Sequence, residues 1–269
     1  MVLDTSSLKT ALDYYVDNEY ANRLPDGMKI FEQPLIGFAA AEDPIFKEYK
    51  KEEVIGSLYV LPEEWLPEAK TVISYFLPFS ENIRSSNYGG PPTSVKWLHA
   101  RFIGEEFNKS IRKFLLGELE KMGGKAVAPA LHENYFADYD NFSSNWSERH
   151  VAYAAGLGSF GLNRGLITEK GLAGRFGSLI TTLYFPATIR SGGGVFENCP
   201  YFTDESCSAC VKRCPSGAIK KEGKDKAVCN NYTRVEDHLQ ELRLQFGYDH
   251  SVCGKCQINV PCENTIPGR

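Results

Sequence analysis

Eight cysteines crowd into the last quarter of the chain, from Cys199 to Cys262, and none precedes them. Their order is Cys199-x7-Cys207-x2-Cys210-x3-Cys214-Pro215, then Cys229, then Cys253-x2-Cys256-x5-Cys262. Thiolates at two- and three-residue spacing, with proline after the last of the run, are the ligand pattern of paired iron–sulfur centres, in which the cysteine before proline serves the other cluster. Eight thiolates suit two [4Fe-4S] clusters with four ligands each. The crossing rule assigns Cys199, Cys207, Cys210 and Cys262 to one cluster and Cys214, Cys229, Cys253 and Cys256 to the other. The run would ordinarily begin three residues before Cys207, where this chain has Asp204. Cys199 is the expected substitute, carried in by the loop over residues 200–206.

Paired Cys-x2-Cys units at wide separation can also hold zinc. Zinc closes a site with four ligands and would leave Pro215 and the third cysteine of the run without a reason. Disulfides need an oxidising compartment, and small domains that use them are cysteine-dense throughout, whereas three quarters of this chain has no cysteine. Paired clusters are therefore preferred to zinc, and zinc to disulfides.

The whole chain has 269 residues, 42% hydrophobic and 24% charged, enough for a substantial core in one large domain or two unequal ones. It has no run of 18 apolar residues, so no membrane span is predicted. The N-terminus lacks a basic segment followed by an apolar one, so it does not read as a secretory signal. Oxygen-sensitive clusters without such a signal point to the cytoplasm. The net charge of −4 argues against a broad nucleic-acid-binding face without excluding local contact with RNA. The basic residues over 212–226 read as a solvated turn.

Elements must position these thiols. Leu8, Leu12, Tyr15 and Val16 recur at helical spacing over residues 5–20, with Ser6 or Ser7 as cap. Residues 71–78, β-branched and aromatic with a proline stop, read as a buried strand. Residues 80–93 are polar with Gly89-Gly90-Pro91-Pro92, a loop long enough to be a lid or ligand-binding segment. Residues 95–122 carry the longest helical pattern, ended by Gly123-Gly124. A short strand follows near Lys125. Residues 131–145 gather His132, Glu133, Tyr135, Asp138, Tyr139 and Asp140, a polar and aromatic loop suited to substrate contact or to a solvated surface.

Ser147 is the expected cap of a helix opening at Glu148-Arg149-His150. Gly156, Gly158 and Gly161 then form a Gly-x-Gly-x-x-Gly string. A helix precedes it and a strand follows it, the reverse of a dinucleotide-binding turn, so NAD is rejected. A strand is expected over 176–185, a linker at Gly192-Gly193-Gly194, and a helix over 239–246. Helices alternating with strands imply an α/β or α+β layer over residues 1–190, with a cluster module over residues 191–269.

Three segments together resemble the epoxyqueuosine reductases and, more distantly, the reductive dehalogenases. They are Glu148-Arg149, the run from Ala155 to Asn163, and Phe176-Gly-Ser-Leu-Ile-Thr-Thr182. The cysteine module, with Cys214-Pro-Ser-Gly-Ala-Ile219, Cys229-Asn-Asn-Tyr232 and Cys253-x2-Cys256-Gln257, is similar to theirs in the same order. The resemblance implies a nitroreductase-like cobalamin-binding domain joined to a ferredoxin-like domain with two [4Fe-4S] clusters. It also implies cobalamin bound with its lower base displaced, near Arg149, Gly156, Gly158, Ser159, Gly161 and Asn163. The family carries an aspartate proton donor shortly before the Glu-Arg pair. Here those positions hold Asn141, Phe142 and Ser143, so Asp138, Asp140 and Tyr135 are the candidate donors. The family's helical-repeat extension, which helps hold tRNA, has no counterpart after Cys262.

Two roles follow. In the first, electrons from a low-potential donor such as ferredoxin or flavodoxin pass through the clusters to a bound cobalamin that reduces a small molecule or a modified tRNA nucleoside. In the second, the chain delivers electrons to a separate corrinoid protein and reactivates it. The missing aspartate and the short C-terminus favour the second.

Overall fold

The computed structural model describes residues 4–90, 92–138, 141–235, 240–241, 244–245, 247 and 253–268. Helix α1 (Thr5–Asn18) is capped by Asp4, whose carboxylate accepts from the Ser6 backbone N–H, so the cap is Asp4 and not Ser6 or Ser7. Strand β1 (Leu35–Ala40) is followed by the short helices α2 (Ile45–Glu48) and α3 (Pro62–Trp65). Strand β2 (Thr71–Pro78) has all eight residues buried. Helices α4 (Glu81–Ser86) and α5 (Val95–Lys121) come next. The segment expected as a plain loop over 80–93 thus contains a helix, because Ser80 Oγ accepts from the Ile83 N–H at its start.

The chain continues through β3 (Ala126–Val127), the small hairpin β4 (Ala137–Asp138) and β5 (Ser143–Ser144), and α6 (Glu148–Ala154). Ser147 precedes α6 without capping it. Its Oγ sits 2.8 Å from His150 Nδ1 instead. A second hairpin, β6 (Gly158–Phe160) and β7 (Leu166–Thr168), leads into β8 (Gly174–Thr181). The cysteine region holds α7 (Pro200–Thr203), α8 (Ala209–Arg213), the β9 (Ile219–Lys220) and β10 (Gly223–Lys224) ribbon, and α9 (Lys226–Val235). Leu239 and Phe246, the ends of the expected later helix, lie outside the described residues.

The main sheet runs β1-β2-β8-β3 with antiparallel pairing throughout. One face carries Ile73, Tyr75, Leu77 and Leu179 against Leu8, Leu12 and Val16 of α1 and Phe107, Ile111 and Leu115 of α5. The other carries Val72 and Ile180 against Trp146 and against Val151 and Ala154 of α6. Cover on both faces explains why β2 reads as a continuous apolar run. The result is the mixed α/β layer that the sequence predicts.

Buried polar groups pin α6 to the sheet. Arg112 of α5 is 3% exposed. Its guanidinium donates to Glu105 at 3.0 Å and to Glu148, the first residue of α6, at 3.2 Å. Glu105 also meets Arg175 of β8 at 3.2 Å. Asn108 donates to the Phe176 carbonyl and accepts from the Tyr75 hydroxyl at 2.7 Å. Trp146 Nε1 donates to Ser178 Oγ at 2.9 Å. Glu148 of the Glu-Arg pair is thus committed to structure, while Arg149, next on the helix, is free to face outward.

Candidate functional site

The eight cysteines are free thiols and fall into two neighbourhoods. Burial pushes the Cys210 thiol up to about 11, helped by the charges of Cys199 and Cys207. Cys262 is raised by burial and then by Cys210, Cys199 and Cys207. Burial likewise pushes Cys256 up to about 12, with Cys253, Cys229 and Cys214 adding to the rise and Lys224 opposing it. Cys253 is raised by burial, and Cys229 and Cys214 add to it. Cys210, Cys262, Cys253 and Cys256 therefore each feel members of their own quartet. Crowded thiols of this kind ionise together only when cations bridge them. The thiol positions fit iron–sulfur ligation in that respect. Among the described residues no three His, Cys, Asp or Glu side chains close on one point as around a single metal ion.

Local sequence explains how the sulfurs are held. Pro200 opens α7 and brings buried Cys199 back toward the run. Asp204, at the position of the missing cysteine, is exposed and accepts from the Ser206 N–H at 2.9 Å. Burial raises the Cys214 thiol, yet it ends below its ordinary value because the Ser216 hydroxyl and the N–H groups of Ile219, Ala218 and Ser216 surround the sulfur. The Pro-Ser-Gly-Ala-Ile turn after Cys214 is therefore a cradle for a thiolate. The Cys253-Gly254-Lys255-Cys256 turn needs its glycine. Gly254 has φ +67°, and a Cβ there would lie 2.2 Å from the Trp97 ring of α5.

A small pocket is lined by Cys199, Cys207, Cys210 and Cys262 on one side and by Gly161, Leu162 and Asn163 on the other. The first quartet thus opens against the β6–β7 hairpin. The second is joined to the same hairpin through Asn163, whose side chain donates to the Cys256 carbonyl at 2.7 Å and accepts from the Gly165 N–H.

The cysteine region is bonded tightly into the layer. Arg84 of α4 pairs with Glu263 at 2.7 Å, both nearly buried, and the Tyr88 hydroxyl donates to the same carboxylate. Asn87 donates to the Cys253 carbonyl at 3.0 Å. Lys255, 3% exposed, donates its ammonium to the carbonyls of Asn87 and Gly89 at 3.0 and 3.1 Å. The segment around α4 is therefore a brace under the cysteine turns.

The glycine string is placed differently from an open cradle. Gly158 lies in β6, where a Cβ would meet the Ile167 carbonyl at 2.2 Å. Gly156, with φ +73°, faces Thr188, and Gly161 faces Ile167. Ser159 is fully buried and its Oγ accepts from the Asn198 N–H. These residues close the hairpin and dock the cysteine region. Of the residues expected at cobalamin, Arg149 alone is exposed; it donates to the Arg164 carbonyl at 2.6 Å.

Asp138 closes the β4–β5 hairpin by accepting from the Asn141 backbone and side-chain N–H groups. Tyr135 packs against the core beneath α6. Tyr139 and Asp140 lie outside the described residues. Phe142, at the hairpin tip with φ +55°, brings its ring to 5.9 Å from Lys226 Nζ. The tip of this hairpin thus meets the start of α9, the helix that carries Cys229. Arg164, which the sequence reading passed over, and Lys224 and Lys226, which it takes for a solvated turn, stand there beside Arg149.

No family model matches the chain. Solved structures nevertheless show its fold, which resembles that of the epoxyqueuosine reductases and reductive dehalogenases. An epoxyqueuosine reductase solved with a tRNA-Tyr stem loop aligns with TM-score 0.56 at 18% identity, over 97% of this chain and 66% of that one. A catabolic reductive dehalogenase aligns with TM-score 0.53 at 14% identity, over 87% of this chain and 30% of that one.

In sequence the chain is similar to epoxyqueuosine reductases. That of Aliivibrio fischeri is 26% identical over 219 residues, covering 77% of this chain and 53% of the relative. That of Vibrio cholerae is 28% identical over 225 residues, covering 79% and 55%. The chain spans about half the length of these curated relatives. Among the described residues no helix is long and apolar enough to cross a membrane.

Proposed function

We propose that the chain is an iron–sulfur oxidoreductase of the epoxyqueuosine reductase kind, with residues 1–190 as the layer and 191–269 as the cluster module. The observation that carries this is the sorting of eight thiols into two quartets, one of them lining a cavity against the β6–β7 hairpin. Cys199, Cys207, Cys210 and Cys262 would hold one [4Fe-4S] cluster, and Cys214, Cys229, Cys253 and Cys256 the other. A low-potential donor such as ferredoxin or flavodoxin supplies the electrons, and the oxygen sensitivity of such clusters suits the cytoplasm. Cobalamin, when bound, supplies a low-valent metal centre for reducing the substrate, which in the relatives is the nucleoside of their name.

The chain's own residues do the rest. The α4 brace and Asn163 hold the second quartet against the β6–β7 hairpin. Arg149 and the β4–β5 hairpin face the ligand side, where Asp138, Asp140 or Tyr135 supplies a proton. Anaerobic iron and sulfide analysis tests the cluster reading. About eight iron atoms and eight sulfides per chain are expected. Zinc in place of iron would overturn it.

The second role, electron delivery to a separate corrinoid protein, is favoured by one observation. Gly158, Ser159 and Asn163 are spent on internal contacts. Cobalamin binding by the chain itself separates the two.

Lys255 adds a prediction. No ion pair among the described residues involves this buried ammonium, and it lies between Cys253 and Cys256. A buried positive charge favours the more negative, reduced cluster. Lys255→Gln keeps a donor for the Asn87 and Gly89 carbonyls but removes the charge. The equilibrium constant for one-electron reduction of the second cluster should fall about tenfold, roughly 59 mV in midpoint potential, in a potentiometric titration. An unchanged potential would show that the charge is screened.

A further inference from the structure

Four cations from three separate parts of the chain meet beside the second cysteine quartet. Arg149 of α6 donates to the Arg164 carbonyl at 2.6 Å. The Arg164 guanidinium lies over Gly223, 3.6 Å from where a Cβ would stand. Lys224 follows Gly223 in β10, and Lys226 opens α9 with its ammonium above Phe142. None of the ion pairs among the described residues involves any of the four.

The nearby acids are engaged elsewhere. Glu148 turns to Arg112, Asp225 accepts from the Val228 N–H, and Asp138 holds Asn141. The field this creates is felt locally. His150 is driven down to about 3, first by burial and then by Arg149, Lys226 and Arg164, so it stays neutral. Lys226 is lowered by burial and then by Arg149, Arg164 and Lys224.

Two features distinguish this group from a solvated basic turn. Arg149 keeps exposed surface, yet burial of its guanidinium is the chief influence that lowers it, with Arg164 adding to the fall. Arg164 sits at the tip of the β6–β7 turn with φ +65°, a left-handed conformation that glycine or asparagine adopts at less cost. The turn does not need arginine; strain kept at such a place points to use. Neutralising the cluster accounts for part of the group at most, since Lys224 and Arg149 interact with Cys256 while Arg164 and Lys226 do not figure there.

We propose that this group of cations binds a phosphorylated small molecule, the phosphate being gripped by Arg149, Arg164, Lys224 and Lys226. Two guanidinium forks and two ammonium groups match a dianionic phosphate ester. The Phe142 ring offers a flat apolar wall for the rest of the molecule. The inference rests on the reductase reading in one respect: it makes this molecule the substrate, bound beside the second cluster and the β4–β5 hairpin.

The test uses the full, cluster-loaded chain, kept anaerobic and free of corrinoid, titrated calorimetrically with inorganic phosphate at low salt. One saturable site is expected. Arg164→Gly suits the φ of the turn, so the thermal midpoint should hold or rise while the phosphate affinity falls at least tenfold; Lys226→Gln should weaken binding in the same direction. Absence of saturable binding, or full affinity in Arg164→Gly, overturns the proposal. So does phosphate binding that is abolished by bound cob(II)alamin, which would give the cations to the cofactor's own phosphodiester. Binding of an RNA stem loop through these residues, with none of free phosphate, also overturns it. Iron analysis on the same samples keeps the readings apart: full iron without phosphate binding sinks this inference alone, whereas phosphate binding without iron sinks the reductase reading alone.

Discussion

Replacing Cys210 by serine is expected to remove one cluster and leave most of the signal of the other. Cys210 sits in the middle of the run and shares its surroundings with Cys199, Cys207 and Cys262. A serine hydroxyl is a poor substitute for a thiolate, so the quartet drops to three ligands. The second quartet belongs to different segments, the turn after Cys214, helix α9 and the Cys253–Cys256 turn, and its tie to the layer through Asn163 is untouched. Iron and sulfide should therefore fall by about half, and the reduced protein should keep one paramagnetic centre. Unchanged iron would show the ligand sets to be wrong. Complete loss would show that the two sites do not assemble independently.

Arg112→Met is expected to be the most destabilising single change in the layer. The arginine is almost wholly buried between α5, β8 and α6. It is the partner of Glu148 and one of two partners of Glu105. Burial already holds the Glu148 carboxyl above its ordinary range, with Arg112 the chief influence in the other direction. Removing the cation strands that carboxylate, a loss of about 3–5 kcal/mol, against a total stability on the order of 5–15 kcal/mol.

Chemical denaturation would read the loss directly. Its pH dependence has a definite sign. With its folded pKa raised further above the unfolded one, Glu148 contributes stability below the unfolded value. That contribution is lost as pH rises through the folded value. The variant should thus recover toward acid pH, and adding Glu148→Gln should restore part of the stability at neutral pH. A loss under 1 kcal/mol would mean that water or a rearranged Arg175 replaces Arg112.

The sequence carried some of this architecture plainly. The β2 run is apolar at nearly every position because helices cover both faces of the sheet, and α5 shows its stripe because one side meets α1 and the sheet. The two proposed cysteine quartets rest on spacing and on the crossing rule of two-cluster modules, since ligand geometry constrains neighbours along the chain. What stayed hidden depends on partners far apart in sequence. Residues 80–93 look like a lid, but Arg84 is held by Glu263 and Asn87 by Cys253. The glycine string looks like a ligand cradle because glycine permits close approach to anything. What approaches Gly158 is the neighbouring strand of its own hairpin. The basic residues near 226 look like a solvated turn until α6 and the β6–β7 turn bring Arg149 and Arg164 beside them.

The most direct test of the central proposal is an anaerobic titration of the cluster-loaded chain with cob(II)alamin, followed by electron paramagnetic resonance. The account predicts loss of the nitrogen splitting from the lower base, the sign of base-off binding by this chain. An unchanged cob(II)alamin spectrum with both clusters intact would contradict it and leave electron delivery to a separate corrinoid protein as the function.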